Sequence, residues 1–167
     1  MRAICVETSA RPVPEERRDA FGRLWIGPYE RWAQDWAYVA REEGKVVGYL
    51  TGCRSTTGFL VKSGLFGPRP SLGANLKFPK TLLARLLRSY PAHLHVNVRE
   101  GHRGGTGRAL MEHFEADAAA DGARGVHVFC GERPLGFYQK LGYEELGKVA
   151  IGEKFIYALG KRLGKSA

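Results

Sequence analysis

At 167 residues with a 44% apolar fraction, the chain has the size and composition of one globular domain with its own core. No run of about 18 apolar residues occurs, and Met1-Arg2 leads only into Ile4-Cys5-Val6 before charge returns, so a soluble, cytoplasmic protein without a membrane partner is expected. The net charge of +9 attracts anions without separating a phosphorylated ligand from nucleic acid, and Cys5, Cys53 and Cys130 are too scattered for a metal site or a disulfide framework. Reduced, buried cysteines and no bound metal are expected.

Arg2 to Glu7 reads as a first strand. Pro12 and Pro14 then mark a turn into a helix from Glu15, with Phe21, Leu24 and Trp25 on its apolar face, broken at Gly27-Pro28 and followed by a short helical piece carrying Tyr29 and Trp32. Trp36 to Arg41 and Lys45 to Gly52, separated by Glu42-Glu43-Gly44, are rich in β-branched and aromatic residues and predict an antiparallel hairpin. Thr56 to Lys77 shows no clear period, although Phe59-Leu60-Val61 has the composition of a strand end.

From Pro79 the pattern changes, with Leu82, Leu83, Leu86, Leu87 and Tyr90 on one stripe of a helix that Pro91 ends. Ala92 to Val98 alternates as a strand, His93, His95 and Asn97 pointing one way and Leu94, Val96 and Val98 the other. After a glycine-rich turn, Leu110, Met111, Phe114 and Ala118 form the face of a second helix that stops at Asp121-Gly122. Val126 to Cys130 predicts a buried strand, Pro134 to Leu141 a third helix closed by Gly142, and Tyr143 to Ile151 with Lys154 to Leu159 a terminal hairpin. Residues 1–160 are read as one domain and 161–167 as a basic, frayed tail.

Between that strand and the second helix lies Arg99-Glu100-Gly101-His102-Arg103-Gly104-Gly105-Thr106-Gly107-Arg108. Glycines there let the backbone approach an anion, the helix start offers unpaired N–H groups, and Arg103 and Arg108 add charge at the rim. A tight turn with glycines for geometry alone is the competing explanation. Neither Gly-x-x-x-x-Gly-Lys-Ser/Thr nor Gly-x-Gly-x-x-Gly is present.

This loop, followed by Gly-Arg-Ala-Leu-Met and by Phe137-Tyr138-Gln139-Lys140-Leu141-Gly142-Tyr143, resembles the GNAT superfamily of acyl-CoA-dependent N-acyltransferases. Gly44-Lys45-Val46-Val47-Gly48-Tyr49 is similar to the family's third strand. The resemblance implies an α/β/α layered α+β fold, with a mixed, mostly antiparallel central sheet splayed between strands four and five. Here those strands would be Ala92–Val98 and Val126–Cys130. It implies acetyl-CoA as acyl-donor substrate, its arm paired with backbone around Val96 and Val98 and its pyrophosphate on His102, Arg103, Gly104, Gly105, Thr106, Gly107 and Arg108. The family's loop residue Gln/Arg falls on His102 counting back from Gly107, and on Arg103 if one residue is deleted. Gly131 stands where the family often has an asparagine that contacts the pantetheine arm.

The implied reaction is transfer of an acetyl group to a primary amine. The resemblance places the Tyr138 hydroxyl beside the sulfur, and a phenol donates a proton without burying a charge. For the base, His95 is favoured because imidazole titrates nearest working pH, with His93, Glu30 or a water chain as alternatives. Asn97 does not titrate but can orient a substrate or water. Tyr29, Trp32 and Trp36 are candidates for an aromatic wall around a small-molecule amine acceptor, with His93 beside it. A catalytically silent acyl-CoA-binding module is the second reading. No nucleic-acid partner is expected, because the basic charges are not gathered on one helix with exposed aromatics, and a homodimer is left open.

Overall fold

The computed structural model describes residues 1–66, 77–102 and 104–164. Arg103, Lys165 and part of the Thr56 to Lys77 stretch lie outside the described residues. The elements are α1 (Arg2–Glu7), α2 (Arg18–Trp32), β1 (Ala37–Glu42), β2 (Lys45–Cys53), α3 (Thr56–Phe66), α4 (Lys80–Ser89), β3 (Ala92–Val98), α5 (Thr106–Ala120), β4 (Gly125–Cys130), α6 (Leu135–Lys140), β5 (Glu144–Ile151) and β6 (Lys154–Arg162). Six strands form one open sheet in the order β1-β2-β3-β4-β6-β5. Every neighbouring pair is antiparallel except β3 with β4.

Side-chain alternation along the strands divides the core into layers. On one face Leu50, Leu94, Val126 and Val128 pack with Leu110, Met111 and Phe114 of α5 and with Tyr138 and Leu141 around α6. On the other, Tyr49 packs with Ile4 and Cys5 of α1 and Ile26 of α2. Leu86 of α4 and Tyr90, just past its end, join Phe78 and Ala158 over the β4–β6 part of the sheet. The hairpin is as expected: Glu43 (φ 49°) and Gly44 (φ 76°) both lie in the left-handed region, as a two-residue turn between twisted strands requires. The second and third helices and the terminal hairpin also form where the pattern places them.

Four expectations are corrected. Arg2 to Glu7 is a helix, with Cys5 N–H bonded to the Met1 carbonyl and Thr8 N–H to that of Ile4. Its apolar run is too short for period to decide between helix and strand, and burial of the adjacent Ile4 and Cys5 against α2 fixes the helix. The next helix, preceded by a 3-10 turn at Glu15–Arg17, passes unbroken through Gly27-Pro28. Proline forfeits one N–H bond, and the burial of Ile26 and Pro28 outweighs that loss, whereas Leu24 is 36% exposed. Phe59-Leu60-Val61 lies inside α3 rather than in a strand, with Leu60 and Val61 exposed. Finally, β6 extends to Arg162, and Lys161 donates to the buried Glu115 carboxylate at 2.5 Å, so these two residues belong to the sheet and not to a tail.

Gly52 is the tightest point between β2, β3 and α5. A Cβ there would sit 2.5 Å from the His93 carbonyl oxygen and 2.7 Å from the Phe114 ring. Gly52→Ala is therefore expected to destabilise the fold by about 3 kcal/mol, measured by urea unfolding, since neither backbone nor packed ring can yield. An unchanged midpoint would contradict this packing.

Candidate active site

Along its full length β3 is paired with β2, from Gly48↔Val98 to Cys53↔His93. On its other side it pairs with β4 only at Ala92↔Val126 and His93↔His127. Beyond that rung the strands part, leaving Leu94 to Val98 with an edge that has no strand partner among the described residues. The backbone groups of Val96 and Val98 thus border an open wedge. Their side chains turn towards α5, while His93, His95 and Asn97 turn towards α1 and α2 beside Cys53, Thr51 and Tyr49.

The two strand histidines differ in what remains available on the ring. Thr56 Oγ1 spends its proton on the Pro91 carbonyl at 2.8 Å, so at 2.8 Å from His93 Nδ1 it accepts from that nitrogen. Nε2 then accepts from the Tyr29 hydroxyl at 2.8 Å, which occupies both ring nitrogens. His95 instead lies with Nδ1 3.1 Å from the Tyr49 hydroxyl and Nε2 at a long 3.5 Å from Asn97 Nδ2. The Asn97 amide donates to Tyr49 at 2.8 Å, and the His95 ring stacks on Trp25. Burial lowers the pKa of His93 to about 3 and of His95 to about 4, so both are neutral at pH 7. Thr51 Oγ1, opposite His95, is buried without a hydrogen-bond partner among the described residues.

Tyr138 occupies the other face, in contact with Phe137 and Tyr143 and clustered with Cys130 at the end of β4. Burial, and secondarily the neighbouring Cys130 thiol, push its pKa upward, so it stays a neutral phenol. Burial likewise raises Cys130 to about 11 and Cys53 to about 12, which keeps both as thiols. All three cysteines are buried and unpaired by disulfide.

At the start of α5, Gly105 takes φ 96°, a left-handed conformation suited to glycine, and no side chain caps the helix. The first-turn amides are consequently open, with no acidic residue in that turn. Among the described residues neither Gly104 nor Gly131 has a neighbour within 4 Å of where a Cβ would lie, whereas Gly107 packs against the Phe137 ring. His102 is engaged elsewhere: its Nδ1 pairs with Glu42 at 2.6 Å. Thr106 also reaches that carboxylate, at 3.5 Å, and Arg108 lies 3.6 Å from Glu112.

The aromatic residues do not make one wall. Tyr29 stacks on Phe59 and holds His93, Trp32 lies under the Arg31 guanidinium, and Trp36 packs edge-on against Phe114 on the opposite face of the sheet. Sequence reading also passed over Tyr49, a central strand residue indistinguishable by pattern from any core aromatic. It missed a cleft of about 300 Å³ lined by Glu7, Thr8, Ser9, Arg99, Glu100 and Arg133. None of the candidate catalytic residues lines that cleft. Among the described residues no group of three or more His, Cys, Asp or Glu is placed to hold a metal ion, and no helix is long and apolar enough to cross a membrane.

An open, mostly antiparallel sheet with one partly zipped parallel pair, followed by a glycine turn into a long helix, defines a narrow fold class. No family model matches the chain. Among solved structures, it is similar to a protein called SsHAT, at 25% identity over 98% of this chain and 92% of that one, with a TM-score of 0.72. It is also similar to ribosomal-protein-alanine N-acetyltransferase from Brucella melitensis (21% identity, 97% and 91% covered, TM-score 0.59). A third likeness is to a protein of Desulfovibrio desulfuricans assigned to the GNAT family of acetyltransferases (15% identity, 98% and 90% covered, TM-score 0.61). The chain has the fold of the GNAT superfamily of acetyltransferases.

Proposed function

We propose that the protein transfers an acetyl group from acetyl-CoA to the primary amine of a small molecule. The observation that carries this reading is the wedge between β3 and β4, with the uncapped start of α5 after β3 and the Tyr138 phenol beside β4. The residues fit such a donor. Open amides of Thr106, Gly107 and Arg108, a Gly104 whose Cβ position has no described neighbour within 4 Å, and a first helical turn with no acidic residue of its own suit a pyrophosphate, with the Glu42 carboxylate at the rim paired to His102. When bound, acetyl-CoA supplies an activated acyl carbon.

Around it the chain's groups divide the proton work by face. The backbone edge of Val96 to Val98 holds the arm of the donor and offers an N–H to the thioester carbonyl. His95, through its less engaged Nε2, receives the proton that the attacking amine gives up as the new C–N bond forms. Tyr138 gives its hydroxyl proton to the sulfur as the C–S bond breaks, and solvent returns a proton from His95 to Tyr138. A ring with a pKa of about 4 holds such a proton only briefly, which suits a relay more than a store. His93, with both nitrogens occupied, braces α2 and α3 on the sheet, and Asn97 and Tyr49 fix the His95 ring.

Gly104→Asp tests the loop cleanly, because a Cβ there has no described atom within 4 Å. Calorimetry should show at least a ten-fold loss of acetyl-CoA affinity, about 1.4 kcal/mol, with an unchanged melting temperature. Retained affinity in this variant would remove the loop from the site. Gly107→Asp is a poorer probe, since it also displaces Phe137.

A further inference from the structure

Resting on the acetyl-transfer reading, we infer that the cleft bounded by Glu7, Thr8, Ser9, Arg99, Glu100 and Arg133 admits the acceptor, and that the acceptor is an amine carrying a free carboxylate, of the amino-acid type. The first support is position. Arg99 and Glu100 directly follow Val98, where β3 ends, and Arg133 lies just past Cys130, where β4 ends, so the cleft stands at the open mouth of the wedge. The end of α1 closes it on the face that carries His95 and Asn97.

Size and lining narrow the occupant. About 300 Å³ is at the small end of ligand sites and accommodates an amino acid rather than a long or polycyclic amine. Four of the six lining side chains are charged and two are hydroxyls, so the cleft offers an aryl or fatty amine no aromatic or branched aliphatic side chain to pack on. This runs against an acceptor recognised by aromatic residues, in keeping with the dispersal of Tyr29, Trp32 and Trp36.

The charges then choose a ligand with both signs. Arg99 is already neutralised, its Nε and Nη2 bonded to Glu7 at 2.8 and 3.1 Å and its Nη1 to the Val46 carbonyl at 3.2 Å. It shapes the wall without offering a free charge. Arg133 and Glu100 are both exposed and neither forms an ion pair with a described residue. The planar guanidinium of Arg133 matches a carboxylate with two parallel bonds, while Glu100 beside it draws in an ammonium group and opposes a dianion.

The experiment is a thiol-release assay with acetyl-CoA and a panel of alanine, lysine and alanyl-alanine, each matched with its C-terminal amide, plus phenethylamine. Compounds with a free carboxylate are expected to have KM at least about ten-fold lower than their amides. Arg133→Ala should abolish that preference, with Arg133→Lys restoring part of it, and calorimetry should show acetyl-CoA affinity unchanged in both. Equal use of acids and amides, or phenethylamine as the best acceptor, would overturn the inference while leaving the transferase intact. Loss of acetyl-CoA affinity in Arg133→Ala would overturn it by assigning the arginine to the donor. If wild-type protein neither binds acetyl-CoA nor releases thiol with any amine, the transferase reading itself fails and the inference with it.

Discussion

Tyr138→Phe is expected to lower kcat by about 10²- to 10³-fold while leaving acetyl-CoA affinity and the melting temperature unchanged. The ring keeps its packing against Phe137 and Tyr143, and the hydroxyl has no hydrogen-bond partner among the described residues, so its removal leaves no polar group stranded. Only a reaction that needs its proton should notice. Because burial holds the phenol neutral, the wild-type rate should show no loss through the mildly alkaline range from ionisation of this residue. Single-turnover measurements from pH 7 to 9 separate the step from product release. A variant with wild-type kcat would eliminate Tyr138 as the acid, whereas acetyl-CoA binding by the wild-type protein without thiol release from any amine would favour a silent acyl-CoA-binding module.

Acid should unfold the protein well before its carboxylates are titrated. His93, His95 and His127 are held neutral, with pKa lowered to about 3, 4 and 4, chiefly by burial. In the unfolded chain each takes up a proton near pH 6.5. The unfolded state therefore binds more protons between about 6.5 and 4, and stability falls as pH falls through that window and is unaffected above it. With three groups the slope approaches about 4 kcal/mol per pH unit, against a typical total of about 5–15 kcal/mol. Their neighbours offer no compensating charge. His93 faces Tyr29, Cys53 and Thr56, His95 faces Tyr49 and Trp25, and His127 donates to the Tyr90 carbonyl at 2.6 Å. Urea titrations at pH 7, 6 and 5 should show the midpoint collapsing, and His127→Phe should flatten the slope by about a third. Equal stability at pH 5 and 7 would mean that these rings are protonated in the fold.

Much of the sheet was legible because its strands carry period-two alternation and its helices end at glycine or proline. The stretch from Pro79 to Leu159 follows that grammar closely. The N-terminal third obeys tertiary packing instead: six residues carry no decisive period, and a proline inside α2 is tolerated because of what the helix covers. At the site, alternation alone placed His93, His95 and Asn97 on one face. It could not tell which histidine has a ring nitrogen to spare, since that depends on Thr56 and Tyr29, distant in sequence. Glu42 was equally invisible as the partner of His102, because the two meet only when β1 comes to lie beside the loop.

The two-rung contact between β3 and β4 also has a mechanical meaning. The sheet is in effect two three-stranded plates, β1-β2-β3 and β5-β6-β4, joined by backbone at one corner and, among the described residues, elsewhere through side-chain packing that includes α5 and α6. Plates hinged in this way resist shear along the strands poorly at the open end. Any molecule that bonded to the free edge of β3 while resting on α5 would act as the missing rungs of a ladder, stiffening the molecule where its own chain leaves it slack.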